Sequence, residues 1–375
     1  MNLRASQPKI SKVTRVLFSM TVTAGIVAGS KADVYASSPK VVLEAVKGEV
    51  STRASGEKKY VPAKKGAHYS SGTRLRTGSG ALAKIKYSDG SLVEIKSDSE
   101  IVIKASKKPR EKPNGVVLFF GRVWSKVTKS KDGDTAFEVR SANAVAGVRG
   151  TEFETGVASD GTVLVRVSEG RVAVSGEDSE QESDVAAGAS VQSDAGGELG
   201  KVSKSDSKFD WNSFFVQHAK KMENRGLKVA KALDGRLNRR KAKLERLVKK
   251  QRELRKGIEG LVAKRKRGAP VDEKIVKLTK KLERVTARLE DMKARLEGAF
   301  GLFESWGRAA NNGSLKDGKA ISGMANNIAK IAADFADMIE EGTDLSEEGM
   351  DELMDDMSKG KRSGPGSSAA DELFK

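Results

Sequence analysis

The spacing of apolar residues changes once along this chain, near Phe209, and that change limits what it can fold into. Up to Phe209, short runs alternate apolar and polar residues with the period of two expected of strands with one buried face. Beyond it, apolar residues recur three and four apart, the spacing of helices packed along a seam. The expected architecture is multidomain, β followed by α. It comprises a jelly-roll-like β-sandwich, then an antiparallel coiled coil or three-helix bundle.

The strand candidates are residues 41–46, 48–53, 82–87, 92–96, 101–104, 116–127, 137–140, 152–157, 163–168 and 171–175, and residues 185–191 add a last one. Glycine-containing turns separate them, among them Gly72-Thr73, Gly78-Ser79-Gly80, Ser88-Asp89-Gly90 and Asp132-Gly133. Alternation places Ile85 and Tyr87 inward, and Val163, Val165 and Val167 inward with Leu164 and Arg166 outward. The stretch SANAVAGVRGTEFETG (residues 141–156) reads as a tight turn through residues 146–151 between two strands. Gly147 and Gly150 there suit an unusual φ or a close backbone approach.

Six segments of this region together resemble the periplasmic domain of the FecR-like proteins. They are Gly66; Gly72-Thr73-Arg74-Leu75-Arg76-Thr77-Gly78; Asp89-Gly90-Ser91-Leu92-Val93; Leu118-Phe119-Phe120-Gly121-Arg122-Val123; Val148-Arg149-Gly150-Thr151-Glu152-Phe153; and Val167-Ser168-Glu169-Gly170-Arg171-Val172. The resemblance implies a jelly-roll-like domain outside the inner membrane that binds or signals and does not catalyse. Family members that regulate iron uptake also carry a cytoplasmic sigma-factor-holding segment and a membrane span, and neither matches here.

The first residues read as an export signal. Arg4, Lys9, Lys12 and Arg15 precede a largely apolar run at residues 16–29, and Val34-Tyr35-Ala36 offers a small residue for cleavage before Ser37. The run of 14 residues falls short of the roughly 20 needed to span a bilayer. Cleavage after Ala36 leaves 339 residues with a charge of +14, so a periplasmic or secreted protein with no stable span is expected. The absence of cysteine excludes disulfides, thiolate metal sites and acylation at an N-terminal cysteine.

Residues 195–209 have the composition of a flexible connector. Asp210 is a candidate N-cap, and a heptad runs from Ala230 through Leu237, Leu244, Gln251 and Ile258, with Leu233, Arg240, Leu247, Leu254 and Leu261 alongside. Gly268-Ala269-Pro270 breaks it, and a cleaner seam follows through Ile275, Leu282, Leu289, Leu296 and Phe303, with Val271, Leu278, Val285, Met292 and Trp306, and Ala299. The short break predicts an antiparallel hairpin over residues 210–306, which carries 28 basic residues against 13 acidic ones. That excess attracts an anionic polymer or membrane, or forms a solvated helical face. Residues 314–357 repeat the seam spacing at Ile321, Met324, Ile328, Ile331, Phe335 and Met338 and are acidic, so this part would close a bundle and mask some of the charge. Residues 358–375 are expected to be disordered.

Little here supports catalysis. His68 and His218 have no second candidate ligand near them in sequence, and no H-E-x-x-H, P-loop or G-x-S-x-G pattern occurs. No cofactor or metal is expected. Asp89-Gly90-Ser91 lacks the further acids of an EF-hand loop and reads as a hairpin turn. Arg149 with Gly150 and Thr151 either contacts a partner or anion, or fixes the turn through an ion pair or backbone carbonyls. The functional expectation is a non-enzymatic envelope protein. Its β domain (residues 39–194) would bind a protein or glycan, and its helices would act as a spacer or oligomerise. The alternative is a FecR-type sensor in transmembrane signalling. Expected partners are an envelope protein, an anionic glycan or lipid surface, and a second copy through the helices; nucleic acid is not among them.

Overall fold

The computed structural model describes residues 41–106, 113–129, 137–176, 182–265, 267–313 and 315–343. The expected export signal, the acidic residues beyond 343 and the expected disordered tail lie outside these residues, as do the side chains of Phe335 and Met338.

Seventeen strands and three long helices occur among the described residues. The strands are β1 (Val41–Lys47), β2 (Val50–Arg53), β3 (Val61–Pro62), β4 (His68–Tyr69), β5 (Arg74–Thr77), β6 (Leu82–Lys86), β7 (Leu92–Ile95), β8 (Glu100–Lys104) and β9 (Asn114–Lys126). There follow β10 (Phe137–Arg140), β11 (Ala144–Val148), β12 (Glu152–Val157), β13 (Val163–Glu169), β14 (Arg171–Gly176), β15 (Glu182–Ala186), β16 (Ala189–Ser193) and β17 (Ser203–Lys204). One set pairs in the order β4-β1-β6-β7-β9-β12-β13-β16-β17. The other pairs in the order β3-β2-β5-β8-β9-β10-β11-β14-β15. Only β9 belongs to both, so the whole is one extended mixed sheet, with β9 and β10 its parallel pair.

β9 changes sets at Gly121. Its φ of 91° is left-handed, and an added Cβ would sit 2.2 Å from the Ser99 hydroxyl, so no side chain fits there. The inward positions of both sets meet in one core that includes Leu43, Ile85, Val93 and Val165 from the first and Leu75, Val139, Val172 and Val174 from the second. Ile85, Tyr87, Val163, Val165 and Val167 are buried as their alternation predicts. Leu164 departs from it, because Trp211 and Phe214 cover the opposite face of its strand.

Two local readings are corrected. Ala146, Gly147 and Val148 are not turn residues: they belong to β11, hydrogen-bonded to β10 on one side and β14 on the other. The turn shrinks to Arg149, Gly150 and Thr151. The connector at 195–209 is tied down rather than free. It contributes β17 and a bridge from Leu199 to Ser193, and Arg166 reaches both Ser205 and the Asp206 carbonyl.

The helices are α1 (Trp211–Arg265), bent at Arg225, α2 (Asp272–Asn311) and α3 (Gly318–Thr343). Gly268 and Gly313, both with positive φ, follow the ends of α1 and α2. Gln251 donates to Thr286 at 3.0 Å, Gly257 lies against Leu278, and Arg265 pairs with Asp272 at 2.9 Å. Residue numbers that rise on one helix as they fall on the other make α1 and α2 antiparallel. Gly307 against Ala325 and Gly318 against Ala310 make α2 and α3 antiparallel as well. The expected seam residues Ala230, Leu233, Leu237, Leu244 and Ile258 of α1 are buried, as are Ile275, Leu282, Leu289, Leu296 and Phe303 of α2. Each contributes about 1.5–3 kcal/mol by burial, apart from the smaller alanine. Helix packing here is driven by that stripe rather than by intrinsic propensity.

Candidate functional site at the strand–helix junction

The proximal ends of α1 and α2 pack on the β region through glycines. Gly298 and Gly301 of α2 leave no room for a side chain: an added Cβ would lie 2.7 Å from the Ala142 nitrogen and 2.2 Å from the Phe119 ring. Gly156 of β12 receives the Trp211 indole in the same way, 2.3 Å from where its Cβ would be. Helix backbone and strand therefore approach to the limit that glycine permits.

Around these contacts sit three carboxylates that sequence could not single out. Glu100 of β8, 1% exposed, faces Arg76 at 2.8 Å, Arg74 at 3.2 Å and Arg308 of α2 at 3.3 Å, and accepts the Tyr60 hydroxyl at 2.8 Å. Burial alone would raise its pKa; Arg76, the Tyr60 hydroxyl, Arg308 and Arg74 outweigh that and hold it below the ordinary value. Arg74 is shared with Glu304 of α2 at 3.0 Å, and Lys104 pairs with Glu297 at 2.7 Å. Glu154 of β12 accepts from Arg122, from Arg166 and from the Trp211 indole N–H at 3.1 Å, while the two guanidiniums lie over the Trp211 and Phe209 rings.

Asp160, in the loop after β12, has no exposed surface. It accepts the Thr162 amide at 3.0 Å, faces His218 Nδ1 at 2.9 Å and pairs with Lys221 at 2.8 Å. Burial opposes its ionisation, but hydrogen bonds from His218, Lys221 and the Thr162 amide hold the carboxyl well below the usual carboxylate range. Trp306 donates its indole N–H to the neighbouring Ser159 carbonyl, and Asn143 donates to the Gly161 carbonyl at 2.6 Å. His218, which had no visible partner in sequence, thus meets an acid 58 positions away.

The residues expected to face a partner lie elsewhere, and the fold brings their two turns together. Asp89 closes the β6–β7 hairpin by accepting the Ser91 amide at 2.8 Å and also takes an Asn114 amide hydrogen at 3.2 Å. Gly90 has a φ of 86° and lies against Thr128. Arg149 is exposed; Gly150 has a φ of 62° with no room beside Lys129; Thr151 is buried and donates to the Arg171 carbonyl at 3.0 Å. Residues 127–129 run between the two turns, with the Val127 amide bonded to the Thr151 carbonyl and the Thr128 amide to the Ser91 hydroxyl. These turns and the Asp160 loop lie at opposite ends of β12.

Among the described residues no group of three or more His, Asp or Glu could hold a metal ion, and no helix is long and apolar enough to cross a membrane. The architecture is a β domain carrying packed helices. Residues 73–173 match the family described as FecR protein, and a FecR-like domain is present there. No curated protein matches the chain. Two crystal structures from Parabacteroides distasonis, described as a candidate anti-sigma factor, are similar at 18% and 17% identity with TM-scores of 0.32 and 0.31. Each comparison covers 36% of this chain and 61% of the other.

Proposed function

We propose that this chain is a non-enzymatic sensor or regulator in envelope signalling, in which the FecR-like domain receives a protein or glycan partner and the helices report it. Export rests on the basic and apolar order of residues 1–36. In this reading the two strand sets are the layers of a jelly-roll-like sandwich, and the helices form a bundle.

One observation carries it. β12 joins the Arg149-Gly150-Thr151 turn directly to the Asp160 loop held by His218 and Lys221 of α1. A partner on the turn, beside Asp89 and Gly90, would bias the strand to which the first turns of α1 are anchored. The helices serve here as a rigid spacer, because among the described residues the seam that could have oligomerised is occupied within the chain.

Crosslinking capture from intact envelopes tests the proposal, with the full chain and its Arg149→Glu variant as baits. Loss of a captured component by a variant that melts like the parent supports the turn as the contact. An unchanged set of captured components refutes it.

A further inference from the structure

The distal half of the helical hairpin has a feature that its own stability does not explain. Residues 241–288 contain 18 Lys and Arg against six Asp and Glu. The three contacts that set the α1–α2 register place Gln251 across the seam from Val285, Leu254 from Leu282, Ile258 from Leu278 and Leu261 from Ile275. In an antiparallel pair, the residues just before the first-row seam positions face each other along one edge. Those residues are Lys250 and Arg288, Gly257 and Lys281, and Lys264 and Lys274. The five cations are all exposed.

Such edge positions ordinarily carry opposite charges, and like charges facing each other are unfavourable. The other edge has no such line: Val248 faces Thr286, Arg255 faces Thr279 and Val262 faces Asp272. Between residues 248 and 288, facing cation pairs therefore lie on one edge alone, two heptads or about 20 Å apart, with Lys281 between them.

We propose that this edge is a binding track for a linear polyanion, a chain bearing sulfate, phosphate or carboxylate groups at regular intervals. A narrow row of cations matches a thread of anions better than a plane. The exposed large apolar side chains among the described residues are Val61, Val202 and Val216, none of them on the arm, so it has nothing of that kind to insert into a bilayer. The inference stands independently of the signalling proposal, since it concerns α1 and α2 beyond their contacts with the strands.

Fluorescence anisotropy of the full mature chain with a labelled sulfated glycan, and separately with linear polyphosphate, tests it across a salt series. Binding that falls steeply with salt is expected. Lys264→Gln with Lys274→Gln should weaken it by about tenfold, against about twofold or less for Arg246→Gln with Lys256→Gln, which removes the same charge from exposed positions off the edge. Without polyanion, the edge variant should melt no lower than the parent, because it removes a repulsion. Equal losses from the two variants would show a diffuse charge effect and overturn the track. So would binding to phosphatidylglycerol vesicles with neither soluble polymer bound. Failure of the full chain to bind at low ionic strength would also overturn it, given the seven acids that residues 344–356 supply.

Discussion

The two ends of the α1–α2 hairpin handle charge in opposite ways. Where it meets the strands, Glu100, Glu154 and Asp160 are each surrounded by cations and hydrogen-bond donors. In the distal arm, Lys264 and Lys274 are exposed, and the register inferred from the Gln251, Gly257 and Arg265 contacts sets them opposite each other. The difference follows from the dielectric. A buried charge without a partner costs several kcal/mol, whereas exposed like charges repel by a few tenths. The junction must be neutralised for the protein to fold; the arm is free to keep its charge for another purpose.

The largest test of that contrast removes a buried acid. Glu100→Gln leaves Arg74, Arg76 and Arg308 around a neutral group and should destabilise the protein by about 3–5 kcal/mol in denaturant titration. A loss under 1 kcal/mol would mean that the cluster is solvated rather than buried. Next comes packing: Gly301→Leu drives a side chain into Phe119 and should cost about 1–3 kcal/mol. Hydrogen exchange should then rise at residues 297–308 before it rises in the strand core.

Acid offers a third test. Glu100 and Asp160 both have folded pKa values below their unfolded ones, so the stability they contribute is present above the unfolded values near pH 4. It is lost as pH falls toward the lowered folded values. Melting temperature should fall more steeply below about pH 4 in the parent than in Asp160→Asn, which has already lost one of the two titrations. Parallel acid profiles would remove Asp160 from the account. The smallest effect belongs to the arm: Lys264→Glu converts a repulsion with Lys274 into an attraction and should stabilise by about 0.3–0.5 kcal/mol, an increment that vanishes in high salt.

Sequence made some of this legible and hid the rest for identifiable reasons. β5 does not read as a strand because Arg74 and Arg76 look solvent-facing, whereas in the fold they are half-buried against Glu100 and Glu304. The glycines at 298 and 301 could have signalled a close approach, being three apart within a helix, but nothing local names Phe119 as the neighbour. Asp160 and His218 gave no signal at all.

What the chain determined by itself was what periodicity and glycine encode. The division into strands and helices, the apolar seams of α1 and α2 and the cationic excess of the arm depend on residues near one another in sequence. The tertiary structure alone decided which carboxylates are buried, that β9 crosses between the two strand sets, and that one edge of the arm carries facing cations. Those properties depend on the register between segments far apart in sequence, and register is set by packing of the whole core rather than by any local preference.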